Sequence, residues 1–113
     1  MEEHMYPRGT RELAQQRKEL APETLAAFRA FSDQVFADGA LPSKTKELIA
    51  VAVAHVTQCP YCIKGHTTAA LRKGATQTEL MEAIWVAAEM RAGGAYAHAN
   101  LALEAMNRFE QQK

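Results

Sequence analysis

The chain has 113 residues, with thirteen Lys plus Arg balanced by thirteen Asp plus Glu, and two cysteines. That length predicts one domain over residues 1–113, and the balanced charge gives neither nucleic acid nor an anionic membrane a reason to bind. The longest apolar run, Leu48 to Ala54, is far short of the roughly 20 residues of a membrane span, and MEEHMYPRGT lacks the basic-then-apolar order of a secretory signal. The expected compartment is the cytoplasm.

In chain order the signals are helical, with no period-2 alternation or hairpin dipeptide. Thr10 to Leu20 is polar and weakly amphipathic, so residues 1–20 are expected at the periphery. Pro22 suits a first helical position, and Leu25, Phe28, Phe31, Val35 and Phe36 give the next helix its apolar face up to a stop at Gly39. Ser43 is predicted to cap a third helix running to about His55. Its centre, Leu48 to Ala54, is apolar all round, which implies burial on more than one side. Pro60 is placed at the first position of a fourth helix with Gly74 just past its end. Thr76-Gln77-Thr78-Glu79 reads as a capping box opening a fifth helix, Gln77 to about Ala92, stopped by Gly93-Gly94. A last helix follows from Ala95 and frays by Glu110 to Lys113. The expectation is an all-α fold of five to six helices. The 43–55 and 77–92 helices look too apolar for a small monomer to cover, so a homo-oligomer is expected.

Chemistry concentrates in KELIAVAVAHVTQCPYCIKGH. Cys59 and Cys62 are spaced C-x-x-C, close enough to cycle between dithiol and disulfide. With Pro60 at the first helical position, Cys59 is the N-cap and Cys62 lies in the first turn, where the helix dipole favours a thiolate. His66 follows Cys62 by four and shares its helix face, so Cys62 is expected to be the more activated thiol and Cys59 the resolving one. The plainer alternative is an inert buried pair, which the C-x-x-C spacing and the histidine at +4 disfavour. Two readings of Glu47 stay open on periodicity. It is a buried base relaying a proton from the thiol, or a first-turn carboxylate that aids the dipole and pairs with Lys44. His55, Cys59, Cys62 and His66 offer a zinc ligand set in principle, but four ligands from one helix–turn–helix stretch make an awkward tetrahedron. No bound metal and no cofactor is expected. His4 and His98 have no evident partner, and Met81, Trp85, Met90 and Met106 read as core or subunit contact.

The pattern E-x11-C-x-x-C-x3-H, with the stop at Gly74 and the GAT-x-x-EL opening of the next helix, resembles the alkylhydroperoxidase D-like branch of the carboxymuconolactone decarboxylase family. The resemblance covers about Leu41 to Gly94. It implies a helical fold assembled as trimers or hexamers, a hydroperoxide substrate, and an external dithiol reductant of the dihydrolipoamide or thioredoxin kind. It further implies that Cys62 attacks the peroxide, Cys59 resolves it as a disulfide, and His66 with Glu47 relays the proton. One departure stands out. Tyr61 occupies a position that is histidine in the peroxidase members, which points to the alternatives of a disulfide reductase or a redox sensor; a non-catalytic zinc-binding oligomer using His55, Cys59, Cys62 and His66 is the alternative from another class. The decarboxylase members typically lack the cysteine pair. The tetrapeptide Cys59-Pro60-Tyr61-Cys62 also matches glutaredoxins, but here it follows a helical run in mid-chain rather than a strand.

Overall fold

Local sequence chemistry places six helices in the computed structural model, which describes residues 5–113. His4 lies outside them. Helix α1 (Arg11–Leu20) starts where Thr10 Oγ1 accepts a hydrogen bond from Leu13 N at 3.2 Å. Ala21 breaks the helical path, and Pro22 opens α2 (Pro22–Phe36). Proline costs nothing at that position because its missing N–H would have had no partner.

Helix α3 spans Ser43–Thr57, and Ser43 is its first helical residue rather than its cap. The N-cap is Pro42, and the Ser43 N–H is satisfied from outside by Asp38 Oδ1 at 2.7 Å. An acidic side chain from the preceding loop thus does the work predicted for the serine hydroxyl. The helix also outlasts His55 by two residues and ends at Gln58, whose left-handed backbone (φ 58°) closes it.

Helix α4 (Pro60–Arg72) opens on Pro60 and is followed by Gly74 at φ 94°, the left-handed position predicted for it. The capping box is complete. Glu79 N donates to Thr76 Oγ1 at 3.0 Å and Thr76 N to Glu79 Oε1 at 2.9 Å. Helix α5 (Gln77–Ala97) runs through Gly93-Gly94 instead of stopping there. A mid-helix glycine costs about 1 kcal/mol relative to alanine, which the flanking turns of so long a helix absorb, and neither glycine takes positive φ. The break comes at His98, and α6 is Ala99–Gln111 rather than starting at Ala95. Among the described residues there is no strand, so the fold is all-α.

The core lies where α3 packs on α4 and α5. Val51, Ala70, Ala75 and Leu80 are buried there, with Leu48 and Ile84 against them. Alanine at the contact points lets the helices approach closely. Helix α3 is covered on this side only: Val51 is fully buried, while Ile49 and Val53 stay about half exposed. Helices α2 and α6 touch the core helices lightly and carry Phe28, Phe31, Leu101, Met106 and Phe109 exposed, while α1 packs against α2. The single chain is therefore extended, at 64 × 36 × 33 Å with a radius of gyration of 20.0 Å. A compact chain of this length has about 13 Å. No helix among the described residues is long and apolar enough to cross a membrane.

Candidate active site

Helices α3 and α4 are joined by only Gln58 and Cys59, so they fold back as a hairpin, and residues far apart in sequence come level. Glu47 sits in the second turn of α3 and is 6 % exposed. Its Oε2 lies 2.7 Å from His66 Nδ1 on α4. A carboxylate only accepts, so Nδ1 donates in this bond, and in a neutral ring that leaves Nε2 with its lone pair. Of the two readings of Glu47, this geometry removes the first-turn one. Lys44, the partner that reading required, pairs instead with Glu79 at 2.9 Å. Phe36 of α2 stacks on the His66 ring (centroids 5.1 Å apart, planes 22° apart), so carboxylate and phenyl together fix the imidazole.

The cysteines divide differently from the sequence expectation. Cys59 caps α4, and its Sγ accepts from Cys62 N at 3.3 Å. Hydrogen bonds from the Cys62 side chain, then from its backbone, pull the Cys59 thiol below its ordinary pKa. Cys62 is pushed up, first by giving its hydrogen bond to Cys59, then by burial, then by the neighbouring negative charge. Of the two thiols, Cys59 is therefore the one that loses its proton first. The sequence predicted the opposite ranking because His66 shares a helix face with Cys62, whereas in the structure His66 Nδ1 bonds Glu47 and the N-cap sulfur of Cys59 accepts from Cys62 N.

Two clefts meet at Cys62. One is a pocket of about 420 Å³ lined by Val35 and Phe36 of α2, by Lys46, Ile49, Ala50, Val53, Ala54 and Thr57 of α3, and by Cys62 and His66. The other, also about 420 Å³, is more polar and is lined by Ser32, Asp33, Phe36, Glu47, Tyr61, Cys62, Gly65, His66 and Ala69. Cys62, His66 and Phe36 border both, so the sulfur faces an apolar side and a wetter side. Sequence reasoning missed Lys46, Asp33 and the role of Phe36. Phe36 was visible only as one member of an apolar stripe, and the two charged residues carried no motif.

The Tyr61 hydroxyl bonds neither Glu47 nor His66. It donates to Pro7 O at 2.6 Å, and Tyr6 meets the Tyr61 ring edge-on at 6.0 Å, so Tyr61 anchors the segment before α1. His55 Nδ1 is 2.7 Å from Val51 O and His98 Nδ1 is 2.7 Å from Gly94 O, each bonded to its own helix. Among the described residues no three His, Cys, Asp or Glu side chains converge as a metal site would, and the four-residue zinc set is not gathered.

The description of the Carboxymuconolactone decarboxylase family matches residues 22–105, a wider span than the Leu41 to Gly94 of the motif resemblance. A Paracoccus denitrificans protein, uncharacterized protein 4 in the cox locus, is 67% identical over 84 residues, covering 74% of this chain and 76% of that one. The crystal structure of a carboxymuconolactone decarboxylase family protein from Legionella pneumophila is 42% identical, covers 87% of each chain and superposes with a TM-score of 0.66. Another, from Thermotoga maritima, is 27% identical with a TM-score of 0.55 over 94% of this chain and all (100%) of that one. It is described as a candidate participant in an antioxidative response. The helical fold, the buried Glu47–His66 bond and the breadth of these matches lead to one statement of kinship: the chain belongs to the carboxymuconolactone decarboxylase family.

Proposed function

We propose that the protein is a thiol-dependent peroxidase that reduces hydroperoxides through a Cys59–Cys62 dithiol–disulfide cycle. The observation that carries this reading is the 2.7 Å Glu47–His66 bond beside a pocket into which both His66 and Cys62 face. Cys62 rests as a thiol, so it needs a base, and His66 Nε2 is the free one. Proton transfer to His66 gives an imidazolium stabilised by Glu47, and the Cys62 thiolate attacks the outer oxygen of the hydroperoxide. The O–O bond breaks, the leaving alkoxide takes the proton from His66, and Cys62 becomes a sulfenic acid. The Cys59 sulfur then displaces hydroxide, which leaves as water, and forms the disulfide. An external dithiol of the dihydrolipoamide or thioredoxin kind reduces it, in a reducing cytoplasm. The antioxidative role suggested for the Thermotoga maritima relative supports the same chemistry.

The working unit in this reading is a homo-oligomer, trimeric or hexameric. The lone chain exposes 9493 Å², about half as much again as a compact monomer of 12.5 kDa. Apolar residues on α2, α5 and α6 account for much of that excess, Trp85 at 66% exposure among them.

One observation favours a second reading. A capping thiolate on the outer cysteine, Cys59, is also the arrangement that a disulfide reductase uses for exchange with a partner. The test is consumption of tert-butyl hydroperoxide with excess dithiol, for the native chain and for Cys62→Ser. Turnover lost in the variant supports the peroxidase. No peroxide turnover by the native chain, alongside fast exchange with a disulfide substrate, replaces it with the reductase.

A further inference from the structure

The pocket beside Cys62 is mostly apolar, and Lys46 is the one lysine, arginine or carboxylate side chain among the residues that line it. Lys46, Ile49, Ala50, Val53 and Thr57 recur at helical spacing and form one wall of it. That wall runs over twelve residues, from Lys46 to Thr57, about 16 Å end to end. Lys46 stands at its N-terminal end. Its Nζ donates to Ala37 O at 2.7 Å, which ties the ammonium to the loop after α2. Gly39 lies beside it, where an added Cβ would stand 3.7 Å from Nζ.

One of the three ammonium N–H groups is used in that bond. Among the described residues no carboxylate pairs with Lys46. The nearby Asp38 is committed to Ser43 N, and Lys44 takes Glu79. A cation held at the end of an apolar groove, with donors to spare, complements an anion carried on a hydrocarbon. A small neutral peroxide would use neither the cation nor the apolar wall.

The register fixes where the reacting group must lie. His66 is level with Glu47, the neighbour of Lys46. Cys62 comes one turn before His66 on α4, about 6 Å further toward the α3–α4 turn. An anion on Lys46 therefore lies several bond lengths from the sulfur, and apolar wall continues beyond the sulfur to Thr57.

The geometry points to a carboxylate-bearing organic hydroperoxide with its –OOH group in mid-chain, the carboxylate on Lys46 and the hydrocarbon along Ile49 and Val53. This rests on the peroxidase reading and names its substrate class. The step is R–OOH plus Cys62–SH giving R–OH plus Cys62–SOH, with the sulfur oxidised, the O–O bond reduced, and the thiol proton delivered through His66 to the leaving oxygen.

The test compares linoleic acid hydroperoxide with its methyl ester in matched detergent, and hydrogen peroxide as the substrate lacking both handles. Native protein, Lys46→Gln and Lys46→Arg are assayed, and the acid-to-ester ratio of kcat/KM is read within each, so a general loss of folding or chemistry cancels. The expected ratio is about tenfold in the native protein, ~1.4 kcal/mol and carried by KM. It should fall to about one in Lys46→Gln and return in Lys46→Arg. A native ratio of one, or a ratio unchanged by Lys46→Gln, overturns the assignment while hydrogen peroxide turnover leaves the peroxidase standing. Calorimetric binding of the matching hydroxy acid and its methyl ester reads the pocket without turnover. If no peroxide reacts, the peroxidase reading falls, and equal binding of acid and ester then overturns the Lys46 site as well.

Discussion

The α3–α4 hairpin and the outer helices α2 and α6 solve opposite problems. The hairpin holds Glu47, Cys59, Cys62 and His66, buries Val51 and Ala70 to 0% exposure, and satisfies its buried carboxylate internally. Helices α2 and α6 leave Phe28, Phe31 and Phe109 more than 60% exposed. The candidate site residues come together within one chain, whereas much apolar surface of the outer helices stays uncovered in it. Substitutions in the two regions should therefore fail in different ways.

The largest effect should come from the relay. Glu47→Gln keeps a hydrogen-bond partner for His66 but removes the charge that stabilises the imidazolium. Peroxide turnover should drop about 10²-fold or more with the helical circular dichroism unchanged. A rate within a factor of two of native would place Glu47 outside the relay.

Leu80→Ala tests the core that supports the hairpin. It should cost about 2–3 kcal/mol in denaturant unfolding, the lower part of the range for truncating a buried leucine. Phe109→Glu on α6 should leave the helix content intact and instead lower the assembled mass in sedimentation. A native chain that sediments as a 12.5 kDa monomer at micromolar concentration would refute the oligomer outright.

Smaller still is the cap opening α5. Thr76→Ala removes one half of the capping box and should cost about 1 kcal/mol. The subtlest effect is a pH ordering. Cys59 is pulled down and Cys62 pushed up, so as pH falls from alkaline toward neutral, iodoacetamide labelling of Cys62 should fade first and that of Cys59 persist. Simultaneous fading would mean that the two thiols do not share their proton unequally.

The same contrast explains what was legible in the sequence. Helix starts were readable where a local signal decides them, as at Pro22, Pro60 and Thr76. Ser43 misled because the decisive acceptor, Asp38, comes from five residues back and carries no capping signature in sequence. Gly93-Gly94 misled because glycine marks a helix end through the left-handed backbone it can adopt, and these two stay helical. The site residues were nameable from C-x-x-C and the histidine at +4. The pairing of Glu47 with His66 was beyond periodicity, since it depends on the register of two antiparallel helices, and so was the order in which the two thiols lose their protons. Lys46 and Phe36 had no motif at all and gained meaning only when α2 and α3 were set beside α4.

The central claim is that Cys62 meets the peroxide and Cys59 resolves it. The most direct measurement is a single-turnover titration of Cys59→Ser and Cys62→Ser with organic hydroperoxide, trapping the sulfenic acid with dimedone and locating it by mass spectrometry. Cys59→Ser should consume one equivalent and carry the adduct on Cys62, and Cys62→Ser should consume none. An equivalent consumed by Cys62→Ser, with the adduct on Cys59, would contradict the assignment.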